Sequence, residues 1–343
     1  MRRARALSRD RVDDARGGPP GWLRWGVGGV LALLVLGLLL RQIAADWGEL
    51  DSLRDQLRWR PWPLAWAWLI QTAGWLLVVR LWSGILDQAG HRASYAVHLR
   101  IYALTALAHV LPGSVWAPAG RVALYRREGA RMLSVGAAVL VEWILLGVAG
   151  LVLYGLSAPW SAAAPPAGAW WLVVVAALAL SALHPRALGG AMRLAARVAG
   201  RGQAVPDGAT AAVFPPRKVA VWLLGELTVL AASGFGFFYL MQAIAPRAGL
   251  ADAMSAWAFT VALANLLAWL PLTSLVKDGG MVLLLAPFYG SSLMAAGVVL
   301  AWRIWMTLVQ LSWAGIGAGL LPLSRGKSPR SGAMVEPDPG SFD

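Results

Sequence analysis

Long apolar runs recur along this chain, and they constrain its fold more than anything else in it. The hydrocarbon core of a bilayer is about 30 Å thick, which a helix covers in roughly 20 residues at 1.5 Å each. Lipid offers a backbone group no hydrogen-bond partner, so runs of this kind are viable only as helices. Six spans are expected: Trp25 to Leu40, Trp62 to Ile85, Met132 to Leu156, Trp170 to Leu183, Val219 to Ile244 and Leu293 to Leu321. Hydrophobic residues make up 58% of the chain and charged ones 14%, which excludes an ordinary soluble domain. The expected class is an all-α polytopic membrane protein.

Charge placement orients the spans. The net charge of +13 would suggest nucleic acid in a soluble protein, but most of the Arg lies between apolar runs. A cytoplasmic-loop bias explains it without a nucleic-acid partner. Residues 1–24 then form a basic cytoplasmic tail, 25–321 the membrane domain and 322–343 a disordered cytoplasmic tail. Both termini lie inside, and the plasma membrane is the expected location. No small-residue cleavage site follows the first run at Arg41-Gln42, so that run is expected to remain as an anchor. Asp46 to Arg60 carries Trp47, Leu50, Leu53 and Leu57 at helical spacing, as an amphipathic helix does that lies on the outer surface or packs against the bundle. Arg193, Arg197 and Arg201 share one face of a second surface helix, a basic one suited either to anionic lipid or simply to the positive-inside bias.

Two apolar segments are broken. Tyr95 to Leu111 ends at Pro112-Gly113, and a shorter piece returns to Arg121, Arg126, Arg127 and Arg131. A full crossing would leave those arginines outside, so a re-entrant hairpin is expected. Ala253 to Leu270 stops at Pro271, and Leu272 to Gly280 is expected to interrupt it before a short return from Met281 to Tyr289. Pro112, Gly113, Pro271, Gly279 and Gly280 are the expected breaks. Backbone broken at membrane depth needs protein or a wet cavity around it, and such breaks point to binding sites.

Residues 25–157 and 168–321 share one order: span, surface linker, span, hairpin, span. The first half starts inside and the second outside. Two inverted-topology repeats are therefore expected, each with three spans and one re-entrant broken-helix hairpin, and a substrate site between them.

Glu142 and Arg303 each lie ten residues into their spans, roughly 15 Å deep, where an unpaired charge costs at least about 2.5–3.5 kcal/mol. They are expected to face each other or a wet cavity, either pinning the halves together or serving transport. Gln71 and Glu226 occupy comparable positions before the two hairpins. Glu226 has no evident partner and is a candidate for proton relay or substrate contact. Arg121, expected just below the surface, has the guanidinium fork that suits a lipid phosphate. Lys277 and Asp278 are expected to neutralise one another at the second tip or to contact substrate. His109 is expected to be structural. The histidines are scattered and Cys is absent, so no metal, cofactor or thiol chemistry is expected.

The order Leu111-Pro112-Gly113-Ser114-Val115-Trp116, Gly120-Arg121 and Arg127-Glu128-Gly129 resembles the lysylphosphatidylglycerol synthase transmembrane-region family, also called flippase-like domain proteins. Leu270-Pro271 through Gly279-Gly280, then Tyr289-Gly290 and Trp302-Arg303, resembles that family's second motif, with Ser274 to Asp278 replacing its usual Pro-Ile-Ser-Pro wording. The likeness covers about 25 to 321. It implies a membrane unit that moves lipids or lipid-linked headgroups between leaflets. Two-domain members carry an aminoacyl-transferase after this unit; none is expected here, so the chain is not expected to be a synthase.

The expected function is thus a flippase for an anionic or polyprenyl-phosphate lipid. The alternative is a non-transporting scaffold that presents a partner lipid-modifying or glycosyl-transfer enzyme to the membrane through the basic segment 186–201. An intramembrane enzyme is disfavoured, since no H-E-x-x-H, G-x-S-x-G or paired-carboxylate motif occurs. No phosphate-binding G-x-x-x-x-G-K-[ST] loop is present either.

Overall fold

A computed structural model of the chain describes residues 60–110, 116–162, 214–266 and 273–320, with isolated positions between 174 and 184. The first expected span, the fourth apart from those isolated positions, the surface helices up to residue 59 and over 186–201, the tails and the hairpin tips with Pro112, Gly113 and Pro271 lie outside the described residues. The four long stretches belong to one compact unit, Leu57–Asp343.

Among the described residues the regular structure is entirely helical: α1 (Pro61–Gln88), α2 (Tyr95–Ala106), α3 (Trp116–Arg127), α4 (Met132–Ser157), α5 (Pro216–Ile244), α6 (Leu250–Leu266), α7 (Thr273–Tyr289) and α8 (Ser292–Leu320), with 3-10 turns at Leu107–Val110 and Ala158–Trp160. Helices α1, α4, α5 and α8 are long and apolar enough to cross a membrane. Helices α1 and α5 both open on a proline, whose fixed φ and missing N–H suit the first helical position. Ser94 caps α2 by accepting from the Val97 amide.

Helices α1 and α5 pack along their length and run antiparallel: the Arg60 amide donates to the Ala243 carbonyl at one end, while Lys218 reaches Gln88 at the other. Glycines allow the approach, since a Cβ at Gly225 would collide with Leu81. The remaining packing is reciprocal. Helix α4 lies against α6, and α8 against α2. Gly150 brings α4 so close to α6 that an added Cβ would stand 2.8 Å from the Ala262 backbone nitrogen. The Trp75 and Trp313 rings stack at 6.2 Å, joining α1 to α8. Outward, α8 presents Leu300, Ile304, Leu308 and Leu311 as one exposed apolar stripe, the kind of surface that lipid covers.

Helices α2 and α3 pack side by side, as do α6 and α7. The expected interruption from Leu272 to Gly280 is corrected: α7 is helical from Thr273, so Gly279 and Gly280 lie inside a helix and are not its break. Two glycines cost a helix up to about 1 kcal/mol each, and that is not enough to stop one packed against a neighbour. Gly280 faces Phe259 and Leu263 of α6.

Candidate functional site

The centre of the described fold holds a buried polar cluster contributed by five helices. Arg121 on α3 is 5% exposed, Glu142 on α4 2% and Glu226 on α5 0%. Arg121 Nη1 lies 2.5 Å from Glu142 Oε2, and the Tyr102 hydroxyl on α2 donates to Glu142 Oε1 at 3.0 Å. The guanidinium carbon sits 4.0 Å from the Tyr102 ring centre and 4.7 Å from that of Trp82 on α1. Weakly hydrated and planar, a guanidinium tolerates such an aromatic cage better than an ammonium does.

A second chain of contacts adjoins it. Trp82 Nε1 donates to the Tyr125 hydroxyl at 2.8 Å, and that hydroxyl lies 2.7 Å from His98 Nδ1. The Tyr125 oxygen accepts from the indole, and the direction of its hydrogen bond with His98 is set by the imidazole tautomer. The His98 Nε2 is buried without a partner. His98 also lines a cavity of about 490 Å³ with Arg80, Ser83, Asp87, Ala93 and Tyr95.

The atoms left unpaired are informative. Both carboxyl oxygens of Glu226 and the Nε of Arg121 are buried with no hydrogen-bond partner. The counterpart of Glu226 on α1 fares better, for Gln71 Nε2 donates to Ser233 on α5 at 3.3 Å. Gln71 and Glu226 are each the eleventh residue of their helices, and Ser233 and Val78 each the eighteenth. The antiparallel crossing of α1 and α5 therefore gives Gln71 a hydroxyl where it gives Glu226 a valine.

A smaller charged group stands at the second hairpin. Arg303 Nη2 on α8 lies 2.6 Å from Asp278 Oδ2 on α7, with the arginine side chain 50% exposed. The Lys277 Nζ sits 5.8 Å from the Trp257 ring centre. Trp257, Trp302 and Phe237 form an aromatic wall with centroids 5.0–6.4 Å apart.

These contacts correct three expectations. Glu142 and Arg303 do not meet, because each takes a partner from the return arm of the hairpin just before its own helix. Arg121 is not open to a phosphate; it is buried, with Nη1 on Glu142. Lys277 and Asp278 do not simply neutralise one another, since Asp278 bonds Arg303.

Both groups sit at matching points of their helices. Tyr102 and Trp257 are the eighth residues of α2 and α6, and Trp82 and Phe237 the twenty-second of α1 and α5. Arg121 and Asp278 are the sixth of α3 and α7. Glu142 is the eleventh of α4 and Arg303 the twelfth of α8. The sequence reading missed Trp82, His98, Tyr102 and Tyr125; counting from the helix starts would have exposed the two aromatic pairs. Comparison of the chain with family models, with curated proteins and with solved structures gives no match.

Proposed function

We propose that the chain moves the headgroup of an anionic or polyprenyl-phosphate lipid across a membrane, through a polar centre between two inverted halves. The supporting observation is the matched pair of charged hairpins: Arg121 with Glu142, and Asp278 with Arg303. Each ties the return arm of a hairpin to the following long helix, with the signs of charge exchanged. Two antiparallel central helices and the reciprocal packing of α4 on α6 and α8 on α2 fit an inverted repeat. The resemblance to the lysylphosphatidylglycerol synthase transmembrane region points the same way.

A headgroup cannot cross hydrocarbon bare, because desolvating its charge costs several kcal/mol or more. Fixed groups of opposite charge offset that cost while the acyl or prenyl tails stay in lipid. The second hairpin is the better headgroup contact. Arg303 is half exposed and can exchange Asp278 for a phosphate through two parallel hydrogen bonds. Lys277 beside it adds a cation with an aromatic backing. The sealed first pair fixes α3 to α4.

Reconstitution into liposomes with a panel of labelled lipids tests this. At least one anionic lipid should change leaflet faster than in protein-free vesicles, and Arg303→Met should abolish the gain while the protein stays folded. If no lipid moves, the scaffold reading replaces transport.

A further inference from the structure

We infer that Glu226 and Glu142 form a proton-binding site arranged around Arg121, and that lipid movement is coupled to protons through it. The coupling rests on the proposed lipid transport; the proton site does not.

The geometry supplies one guanidinium for two carboxyl groups. Three charges of that kind sum to minus one in a fully buried place, and a single proton on either carboxyl restores neutrality. Arg121 engages Glu142 through Nη1, leaving its Nε–H without an acceptor, while Glu226 has two oxygens without a donor. A guanidinium donates from several N–H groups in a fixed fork, so reorienting it toward α5 would satisfy the unpaired atoms on both residues. In that exchange the proton leaves a Glu226 oxygen and one arrives on Glu142, released from the ion pair. The guanidinium stays protonated and the total charge of the trio does not change.

The groups that face Glu226 are few. Helix α4 brings Glu142, α3 brings Arg121, and α2 brings Tyr102, whose hydroxyl already belongs to Glu142. Helix α1 brings no charge; its register places the apolar Val78 opposite Glu226, as that of α5 places Ser233 opposite Gln71. On α6, Asp252 is held by Ser161 and the Gly249 and Ala162 amides, and on α8 Arg303 is held by Asp278. The cavity lined by His98 is joined by the His98–Tyr125 hydrogen bond to a residue one helical turn from Arg121.

Infrared difference spectroscopy on the full chain in liposomes tests the site directly. The wild type should show the carbonyl stretch of a protonated carboxylic acid at neutral pH, absent in Glu226→Gln. Val78→Thr, which offers Glu226 the hydroxyl that Ser233 offers Gln71, should shift that band and serves if the first variant does not fold. A wild type without the band, or a band unchanged in both variants, overturns the proton site. Coupling is read with a pH-sensitive dye inside the same vesicles: an imposed pH gradient should raise lipid movement several-fold. Lipid movement indifferent to the gradient overturns the coupling. Absence of any lipid movement counts against the proposed function, with the band still deciding the proton site.

Discussion

The two ion pairs occupy equivalent places and live in opposite surroundings. Arg121–Glu142 is sealed, with side chains 6% and 2% exposed, whereas Arg303–Asp278 is 50% and 19% exposed. The difference lies in the aromatic neighbours. Around Arg121, Trp82 and Tyr102 close over the guanidinium, and Tyr102 also spends its hydroxyl on the carboxylate. In the second group Phe237, Trp257 and Trp302 pack on each other, and it is Lys277, not Arg303, that lies over the Trp257 ring. The first pair is thus a closed fastener between α3 and α4, and the second an open contact between α7 and α8.

The largest consequence is for stability. Removing one partner of a buried pair strands the other charge, at about 3–5 kcal/mol. Arg121→Met should lower the thermal unfolding midpoint sharply, while Arg121→Met with Glu142→Leu should recover most of the loss. If the single and double variants unfold alike, the first pair is not the sealed fastener that sets it apart from the second.

Arg303→Met sharpens the contrast from the other side. The pair is half open, and Asp278 keeps the Lys277 charge beside it, so its loss leaves less uncompensated than loss of the sealed pair does. Unfolding should therefore change less than in Arg121→Met, while the proposed lipid movement is lost. A destabilisation as large as that of Arg121→Met would make the two hairpins equivalent and remove the argument for an open contact.

How much of this is readable without coordinates follows from what a sequence encodes. The span expected from Met132 to Leu156 is found as Met132–Ser157, and that from Leu293 to Leu321 as Ser292–Leu320, since length and apolarity alone define such helices. Depth along a helix was legible too: Glu142 and Arg303 do occupy like positions. Azimuth was not. Two residues at equal depth meet only if their helices turn the right faces together, and the return arms α3 and α7 stand nearer than the opposite half. The hydroxyls of Tyr102 and Tyr125 carry the same lesson, because an aromatic in an apolar run gives no sign of which polar atom it will reach. At Lys277-Asp278-Gly279-Gly280 the polar and glycine-rich wording imitated a loop, and packing against α6 overrode it.

The smallest predicted effect bears on that last point and compares the hairpins once more. A Cβ at Gly279 would meet nothing within 4 Å, whereas one at Gly120 would stand 3.2 Å from Thr105 Cγ2 across the α2–α3 contact. In a helix, alanine is favoured over glycine because glycine loses more backbone freedom on folding. Gly279→Ala should therefore stabilise by on the order of 0.5 kcal/mol. At Gly120 the same helical gain is offset by the displacement of Thr105, whose hydroxyl is fixed to the Ile101 carbonyl and resists moving. The two substitutions, measured side by side by thermal unfolding, should differ in favour of Gly279→Ala. Were Gly279→Ala instead the more damaging, α7 would begin after the glycines, Lys277 and Asp278 would return to the hairpin tip, and the matched register of Arg121 and Asp278 would be lost.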